Sequence, residues 1–342
     1  MSEAAARTRR PAPALRRPRL GFLGVGWIGR QRMEAMLATG AVEAAAIADP
    51  SADAAAGAAR LAPAAAIGRD LEDLLAADLD GLVIATPSAL HAEQAICALE
   101  RGLAVFCQKP LGRSEAEAAA VVAAARRADR LLCVDLSYRF TEGMERIREL
   151  IAAGALGRIF AADLVFHNAY GPDKPWFYDP ALSGGGCVMD LGVHLVDLAL
   201  WTLGFPAVEA VQASLFAGGA PLPARAGAVE DYAAASLTLA TGAAVRLACS
   251  WRLQAGCDAA ISAAFYGTEG GAALQNVAGS FYDFTAERYR GAGRETLASP
   301  PDAWGGRAGA DWARRLAAGQ RFDPEAERLV EVARTLDRIY GR

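Results

Sequence analysis

A lysine stands at the end of an apolar stretch, a place where a cation is unusual. In the stretch V-F-C-Q-K-P-L-G, which runs from Val105 to Gly112, Lys109 is followed directly by Pro110. Proline ends a strand and lacks a backbone donor, so the position of this cation is restricted. A cation held in place can stabilise the negative charge that develops on a reacting oxygen. The type and the restricted position of Lys109 single it out as a candidate site residue.

An acid and a histidine follow a run of three glycines, 184–186. Asp190, His194 and Asp197 are spaced i, i+4 and i+7, which places them on one face of a predicted helix. The acid can set the tautomer of the imidazole, whose ordinary pKa of about 6.5 suits proton transfer at neutral pH. We expect the glycines to admit a ligand and His194 to have a chemical role that Asp190 supports. The alternative is a structural histidine.

A glycine-rich turn near the N-terminus has the spacing of a dinucleotide-binding motif. The turn follows a predicted strand over Leu20 to Leu23 and opens a helix, and Asp49 ends the next strand about twenty residues later. Glycines let a pyrophosphate approach the helix N-terminus, while Asp49 would bind the adenosine ribose and disfavour a 2′-phosphate. We expect NAD as the cofactor and leave NADP open; the alternative is a tight turn with an Asp that caps a helix. The residues of the turn are Gly24, Gly26, Trp27, Ile28 and Gly29.

The elements that must position these residues alternate between strand and helix up to about residue 138. Short apolar strands separated by helices predict a parallel sheet covered on both faces, and such sheets bind ligands at the carboxyl ends of their strands. Gly24, Asp49, Thr86 and Lys109 all end predicted strands, so one edge of the sheet should hold the cofactor. We expect His91 to be a helix-start or cofactor-edge residue rather than a catalyst. The further residues expected at the cofactor are Thr86, Pro87, Ser88, His91 and Gln108.

The second half of the chain predicts a different arrangement. Alternating runs such as Tyr232 to Leu239 and Ala244 to Trp251, joined by short turns, indicate a mostly antiparallel sheet with one open face. The fold class is therefore α/β, with an N-terminal Rossmann-type doubly wound parallel sheet and a C-terminal α/β domain. We predict a disordered tail over 1–19, a dinucleotide-binding domain over 20–138, and a second α/β domain over 139–342. The last helix, 323–342, is expected to pack back on the first domain.

Composition argues against several classes of partner. The formal net charge of −4 gives no reason to expect nucleic acid or an anionic membrane surface, and no stretch approaches the roughly twenty apolar residues of a membrane span. The six cysteines form no Cys-x-x-Cys pair and the three histidines lack zinc-finger spacing, so we predict neither a metal nor a disulfide framework. Free cysteines in apolar runs favour a reducing cytoplasm.

Together these motifs resemble the Gfo/Idh/MocA family, named after glucose-fructose oxidoreductase, inositol dehydrogenase and MocA. The resemblance covers nearly the whole chain after the tail. It implies a Rossmann domain, a C-terminal domain over 139–342 that binds substrate and forms oligomers, and NAD(P)-linked redox chemistry on a sugar, inositol or related polyol. It also implies that Lys109, Asp190 and His194 are catalytic, with His194 as the base, Lys109 as the cation beside the reacting oxygen, and Asp190 as the residue that orients both. The alternative for Lys109 is a simple ion pair with Asp190. Chains of the family pair through the open sheet, which implies a homodimer or homotetramer. The motifs are the glycine turn, Asp49-Pro50, Thr86-Pro87-Ser88-x-x-His91, Gln108-Lys109-Pro110, Arg139, and Gly184-Gly-Gly-x-x-x-Asp190-x-Gly192-x-His194-x-x-Asp197.

One position departs from the usual Glu-Lys-Pro motif of that family. Gln108 replaces the glutamate, and a neutral amide should leave Lys109 easier to deprotonate. Two other functions stay open: a glycoside hydrolase that uses bound NAD⁺ for transient oxidation, and a non-catalytic dinucleotide-binding regulator. The substrate is expected between the domains, where aromatic faces beside polar groups would suit a sugar ring. The candidates for its walls are Arg139, Tyr170, Lys174, Trp176 and Tyr178, together with Asp190 and His194.

Overall fold

The first half of the chain forms a parallel sheet with helices on both faces. The computed structural model describes residues 16–223 and 227–342. The strands of this sheet are β1 (Arg19–Leu23), β2 (Glu43–Ala48), β3 (Ala66–Gly68), β4 (Gly81–Ile84), β5 (Ala104–Cys107) and β6 (Leu132–Val134). They lie in the order β3-β2-β1-β4-β5-β6, and all neighbours are parallel. The helices are α1 (Trp27–Ala38), α2 (Ala52–Ala59), α3 (Leu71–Leu75), α4 (Ser88–Glu100) and α5 (Glu115–Ala128).

The first turns of these helices fall into two groups. Ser51, Asp70 and Ser114 cap α2, α3 and α5, because each side chain accepts a backbone N–H three residues later. By contrast, α1 follows Gly26 and α4 follows Pro87, and no side chain among the described residues caps either helix. The first N–H groups of α1 and α4 are therefore available to a ligand.

The second half forms a nine-stranded sheet. Its strands are β7 (Ile159–Asn168), β8 (Val208–Ala217), β9 (Ala220–Pro221), β10 (Tyr232–Leu239), β11 (Ala244–Ser250), β12 (Ala259–Gly267), β13 (Gly271–Asn276), β14 (Phe284–Arg290) and β15 (Gly293–Ala298). Their order is β15-β14-β13-β12-β7-β11-β10-β8-β9, and only the β7–β11 pair is parallel among these neighbours. The helices are α6 (Glu142–Ala152), α7 (Pro180–Ser183), α8 (Val193–Thr202), α9 (Arg307–Ala317) and α10 (Arg328–Ile339). The predicted fold class is confirmed.

The two faces of this sheet differ as the alternating pattern predicts. Leu164 and Leu237 point into a core that α6, α8 and α10 cover. On the opposite face, Asp163 and Arg246 form an exposed ion pair across β7 and β11, with Ser236 of β10 beside them. None of the helices in the described part of the chain covers this face.

The C-terminal helices return to the first domain. Trp312 of α9 is fully buried against Phe106 of β5, with ring centroids 5.8 Å apart, so α9 helps to form the core under the parallel sheet. Helix α10 lies between α5 and α8, and the Asp337 carboxylate accepts the Glu115 N–H at 2.8 Å. The return of the last helix was predicted, whereas the docking of α9 was not.

The predicted N-terminal tail is ordered at its end. Residues 1–15 lie outside the described residues. Arg16 pairs with Asp80 at 2.9 Å, and β1 already begins at Arg19, whose N–H donates to the same carboxylate. The prediction of disorder is therefore wrong for residues 16–19. Within the described ranges, none of the helices is long and apolar enough to cross a membrane.

Candidate functional site

A cavity of about 600 Å³ lies between the carboxyl edge of the parallel sheet and the second domain. Its size is that of a small-molecule site. Gly24, Gly29, Asp49 and Arg139 do not line it. The predicted site residues that do line it are Gly26, Trp27, Ile28, Thr86, Pro87, Ser88, His91, Gln108, Lys109, Trp176, Asp190 and His194.

The three glycines of the turn have different roles. Gly24 has a φ of +81°, and a Cβ there would lie 2.6 Å from the Ala85 carbonyl oxygen. A Cβ on Gly29 would lie 2.1 Å from the Gly24 carbonyl oxygen, so both residues serve the tight turn and the packing of α1. A Cβ on Gly26 would meet nothing within 4 Å and would stand in the cavity. Gly26 thus keeps open the space that a phosphate group would fill at the N-terminus of α1.

Asp49 contacts the backbone at two points. Its Oδ2 accepts the Val25 N–H at 2.7 Å, and its Oδ1 accepts the Ser51 N–H at 2.8 Å. The carboxylate therefore holds the glycine turn and the start of α2 together. Each oxygen keeps a second lone pair, so a role toward the adenosine ribose remains a prediction.

His91 is a structural link between two strand ends. It lies inside α4 rather than at its start and is 1% exposed. Its ring nitrogens each lie 2.7 Å from a carbonyl oxygen, Nδ1 from that of Pro110 and Nε2 from that of Thr86. Burial lowers the pKa of His91, although both carbonyls act in the opposite direction. The contacts tie the loop after β4 to the loop that carries Lys109, which agrees with the expectation that His91 is not a catalyst.

Lys109 is held by a single acidic residue. Its Nζ donates to Asp190 Oδ1 at 2.6 Å and to the Asp190 carbonyl oxygen at 2.7 Å. The other carboxylate oxygen, Oδ2, accepts the Trp251 indole N–H at 3.0 Å. The Lys109 side chain is 19% exposed, so the ammonium group is fixed but still faces the cavity.

His194 lies in the same cavity but forms no hydrogen bond with Asp190 among the described residues. A π-helical turn, Val188–Gly192, precedes α8 and changes the helical register. Asp190 binds the Lys109 ammonium group and the Trp251 indole, and His194 has no hydrogen-bond partner among the described residues. The expected orienting hydrogen bond from the imidazole to Asp190 is therefore absent from the described residues. Instead, the Tyr138 ring packs edge-on against His194, with centroids 4.9 Å apart.

The imidazole of His194 is neutral at physiological pH. Burial holds its pKa well below the ordinary value of 6.5, and the charges of Lys109 and Arg32 lower it further. The expectation of an unperturbed pKa is corrected accordingly. A neutral imidazole is the form that can accept a proton.

The three glycines at 184–186 pack against other parts of the protein rather than simply opening the site to a ligand. A Cβ on Gly185 would lie 2.0 Å from the Tyr340 hydroxyl, and one on Gly186 would lie 1.9 Å from the Glu230 carbonyl oxygen. The buried Glu230 carboxylate accepts N–H groups from Gly186 at 3.0 Å and Val188 at 2.9 Å, and the Tyr340 hydroxyl at 2.8 Å. Burial raises the pKa of Glu230, while these three donors lower it. Glu230, which the sequence analysis did not select, thus anchors the turn that carries Asp190.

Replacing Glu230 by alanine should lower the free energy of unfolding by about 3 kcal/mol or more, because three buried donors lose their acceptor. Tyr340→Phe removes one of these hydrogen bonds and should cost about 1 kcal/mol. Chemical unfolding followed by circular dichroism measures both changes. Equal effects of the two substitutions would contradict an anchoring role for the Glu230 carboxylate.

Some of the residues predicted to line the substrate site do line the cavity, and others do not. Lys174 and Trp176 line the cavity. Arg139 does not, because its guanidinium forms a two-pronged ion pair with the buried Asp197, including an Nε–Oδ2 contact of 2.8 Å. The assignment of Arg139 to the substrate site is therefore wrong. Tyr170 and Tyr178 also lie outside the lining; their hydroxyls donate to Asp258 and to the Pro172 carbonyl.

A buried polar cluster at the ends of β5 and β6 was not predicted. Asp135 Oδ2 accepts the Arg32 Nε–H at 2.6 Å and the Gln108 side-chain amide N–H. A glutamate at 108 would place a second carboxylate against Asp135, so the glutamine is the donor that this neighbour requires. One feature of the sequence could have indicated this cluster. Arg32 lies on the same face of α1 as the buried Gly29, Met33 and Met36.

Lysine is rare in this chain. Lysine and arginine total 35 residues, yet only Lys109 and Lys174 are lysines. Both line the cavity, Lys109 on its inner wall and Lys174 at its exposed rim, and each is followed by proline. The distribution of lysine is a second signal for the site that the sequence analysis did not use.

A parallel sheet whose glycine turn opens into a cavity with a lysine–aspartate pair and an imidazole defines a dinucleotide-binding α/β protein. The chain belongs to the GFO/IDH/MocA oxidoreductase family. Residues 18–136 match the NAD-binding Rossmann fold of that family, and residues 144–273 match its C-terminal domain.

Relatives and solved structures agree with this assignment. The chain is 34% identical over 144 residues to D-glucoside 3-dehydrogenase of Escherichia coli, which is 42% of this chain and 41% of that protein. It thus matches less than half the length of that relative. It is 32% identical over 250 residues, 68% of each chain, to the putative UDP-kanosamine synthase oxidoreductase subunit of Amycolatopsis mediterranei. The crystal structure of GenD2 from gentamicin A biosynthesis in complex with NAD superposes with a TM-score of 0.79, 26% identity and 98% of both chains covered.

Proposed function

We propose that this protein is an NAD(P)-dependent oxidoreductase that transfers a hydride between nicotinamide and a hydroxyl-bearing carbon of a sugar, inositol or related polyol. The observation that carries the proposal is the shared cavity: Lys109, Asp190 and His194 face the same space as Gly26. The relatives named for a glucoside and for UDP-kanosamine support a polyhydroxylated substrate.

The residues at the sheet edge fit a dinucleotide. The open space at Gly26 and the uncapped N-termini of α1 and α4 provide N–H donors for anionic phosphates. When bound, the cofactor supplies the acceptor or donor of the hydride. The Asp49 carboxylate, at the end of β2, would carry the preference for NAD over NADP through its charge.

The side chains of Lys109, Asp190 and His194 suit oxidation of an alcohol. Neutral His194 would take the hydroxyl proton, and Lys109 would hydrogen-bond the same oxygen as negative charge develops on it. Asp190 holds the ammonium group from two directions, while Trp251 fixes the remaining oxygen of Asp190. One wall of the cavity would therefore supply both a base and an electrostatic stabiliser.

The loop that carries Lys174 and Trp176 would cover the substrate. The indole of Trp176 stacks on Phe177, with centroids 3.8 Å apart, and both residues line the cavity. An aromatic surface beside hydrogen-bonding groups matches the apolar faces and hydroxyls of a sugar ring.

A spectrophotometric screen tests the proposal. The purified protein is mixed with NAD⁺ or NADP⁺ and a panel of aldoses, inositols, glycosides and sugar acids, and NADH or NADPH formation is followed. We expect reduced cofactor to accumulate with at least one member of the panel. Release of an aglycone without net NADH would instead identify an NAD⁺-dependent glycoside hydrolase, and cofactor binding without either reaction would identify a regulator.

Asp49→Ser should change the cofactor preference. Removal of the carboxylate removes its repulsion of a 2′-phosphate and its acceptors for the ribose hydroxyls, so the ratio of NAD to NADP affinity should fall by about tenfold or more. Fluorescence titration with NADH and NADPH measures both affinities. Asp53→Ser, an exposed acid on α2, is the matched control and should leave the ratio unchanged.

The open face of the second sheet is the surface through which we propose that two copies associate. It is lined by small and polar side chains around Ser236 and Ala248, with the Asp163–Arg246 pair beside them. Sedimentation analysis of Ala248→Arg should show loss of the oligomer.

All six cysteines are free thiols, which supports a reducing, cytoplasmic environment.

A further inference from the structure

Tyr138 presents a hydroxyl group to the cavity that the proposed reaction leaves unused. Tyr138 is 8% exposed and lines the cavity, and its hydroxyl has no hydrogen-bond partner among the described residues. The hydroxyl oxygen keeps accessible surface, since the fully buried unpartnered oxygens of the described residues lie on Asp135, Asn168 and Thr202. Polar groups in the interior of a protein are nearly always paired. An unpaired hydroxyl that a molecule in the cavity can reach therefore points to a ligand.

The direction of this hydroxyl is fixed by the packing of its ring. Four rings surround it, at centroid distances of 4.8 Å for Trp304, 4.9 Å for His194, 5.6 Å for Phe166 and 6.0 Å for Phe284. Three of these contacts are edge-to-face, a geometry that aromatic pairs favour. The ring cannot turn away without losing these contacts, so the hydroxyl is held in one orientation before any ligand binds.

The hydroxyl of Tyr138 is neutral at physiological pH. Burial raises its pKa, and the neighbouring Tyr282 and Asp190 raise it further, whereas Arg32 lowers it. A neutral phenol donates one hydrogen bond and accepts others, as an alcohol does. The group therefore complements a hydroxyl of a polyol, and it does not compete with His194 for the role of the base.

Tyr138 reaches the cavity from the side of the second domain. Its ring belongs to the core of that domain, against strands β7 and β14, and lies beside His194. The glycine turn that would hold the cofactor comes from the parallel sheet instead. Arg139 belongs to the same short turn, Ser137–Phe140, but its guanidinium binds Asp197. This turn thus offers the substrate the hydroxyl of Tyr138 rather than the guanidinium of Arg139.

We propose that Tyr138 determines specificity, because its hydroxyl binds a second hydroxyl group of the substrate on a carbon close to the one that is oxidised. This inference rests on the proposed function. Lys109 and His194 hold the reacting hydroxyl, and Tyr138 holds another one beside it. The substrate therefore carries at least two hydroxyls near each other. A simple alcohol leaves the phenol unpaired and should be a poor substrate.

Tyr138→Phe and a set of monodeoxy analogues test the proposal on the full-length protein. The substitution keeps the ring and removes a hydroxyl without a partner among the described residues, so the variant should fold. For the best polyol of the spectrophotometric screen, kcat/KM should fall by about 10- to 100-fold. Each analogue lacks one hydroxyl of that polyol other than the one oxidised. For one analogue, Tyr138→Phe should change kcat/KM by less than about twofold, because the partner of the phenol is already missing.

Tyr170→Phe is the matched control. The Tyr170 hydroxyl donates to Asp258 at 2.6 Å and lies outside the cavity lining. Its removal should leave kcat/KM unchanged for the polyol and for every analogue. Fluorescence titration should give the same dissociation constant for NADH in Tyr138→Phe as in the unmodified protein, because the phenol binds substrate rather than cofactor.

The outcomes separate this inference from the function on which it rests. An equal loss of kcat/KM for the polyol and all analogues in Tyr138→Phe, or no loss at all, would overturn the proposal. Weaker binding of NADH with unchanged discrimination among the analogues would assign the hydroxyl to the cofactor. If the unmodified protein oxidised every analogue as well as the polyol, no second hydroxyl would be recognised, and this result needs no variant. If it bound NADH but oxidised no polyol, the proposed function itself would fail, and this inference with it.

Discussion

Replacing Lys109 by methionine is expected to lower kcat by about 10³-fold while NADH still binds. The methionine keeps most of the apolar stem but removes the ammonium group that faces the cavity, and loss of one such stabilising donor typically costs 10²–10³ in rate. Steady-state kinetics with the best substrate from the screen measures kcat, and fluorescence titration measures cofactor binding.

The second lysine of the chain is the matched control for this substitution. Lys174 lies at the exposed rim of the cavity and pairs only with the adjacent Asp173 among the described residues. Lys174→Met should act mainly on KM, because the rim contacts substrate before and after reaction alike. If the two substitutions lowered kcat equally, Lys109 would have no special place in the reaction. A structural ion pair with Asp190 predicts lower stability for Lys109→Met with kcat preserved in the folded fraction.

His194→Gln is expected to lower kcat by two to four orders of magnitude, the usual contribution of a positioned base.

The native enzyme should also keep its activity when the pH falls below 6.5. Because burial and two neighbouring cations hold the pKa of His194 well below 6.5, the imidazole stays neutral until the pH falls through that lowered value. The acid limb of kcat/KM for alcohol oxidation should therefore lie below pH 6.5 and disappear in the variant.

The same pKa makes a prediction about stability. The unfolded histidine takes up a proton near its ordinary value of 6.5, whereas the folded one does so only at lower pH. The unfolded state thus binds more protons below pH 6.5, and the free energy of unfolding falls as the pH is lowered from there to the folded pKa. His194→Gln should reduce this acid sensitivity.

The control for the effect of His194→Gln on kcat is His167→Gln. His167 lies on β7 and outside the cavity, so its replacement should leave kcat nearly unchanged.

Local patterns allowed much of the fold to be predicted. The strand, glycine turn and helix around Gly24 to Gly29 are set by residues that are near in sequence, and so is the strand end at Lys109. Alternation of buried and exposed side chains predicted the open face of the second sheet. The meeting of Lys109 with Asp190, 81 residues away, was implied by the family resemblance rather than by local pattern.

Long-range residue pairs and a change of helical register account for the differences between the predicted and the observed site. Periodicity of an α-helix suggested a hydrogen bond between Asp190 and His194, but a π-helical turn intervenes and Asp190 binds Lys109 and Trp251 instead. Arg139 was expected among the substrate walls between the domains, but its guanidinium binds the buried Asp197, 58 positions later in the sequence. The Arg32–Asp135 pair is separated by 103 residues, and no local rule joins such residues.

The scarcity of lysine has a practical consequence for spectroscopy. Reductive methylation with isotopically labelled formaldehyde would label two side chains and the N-terminal amine of a chain whose other basic side chains resist the reagent. The resonance of Lys109 would report on the inner wall beside Asp190, and that of Lys174 on the rim 65 positions later in the sequence. A folded protein of 342 residues would thus give a spectrum simple enough to follow cofactor and substrate binding at separate places in one titration.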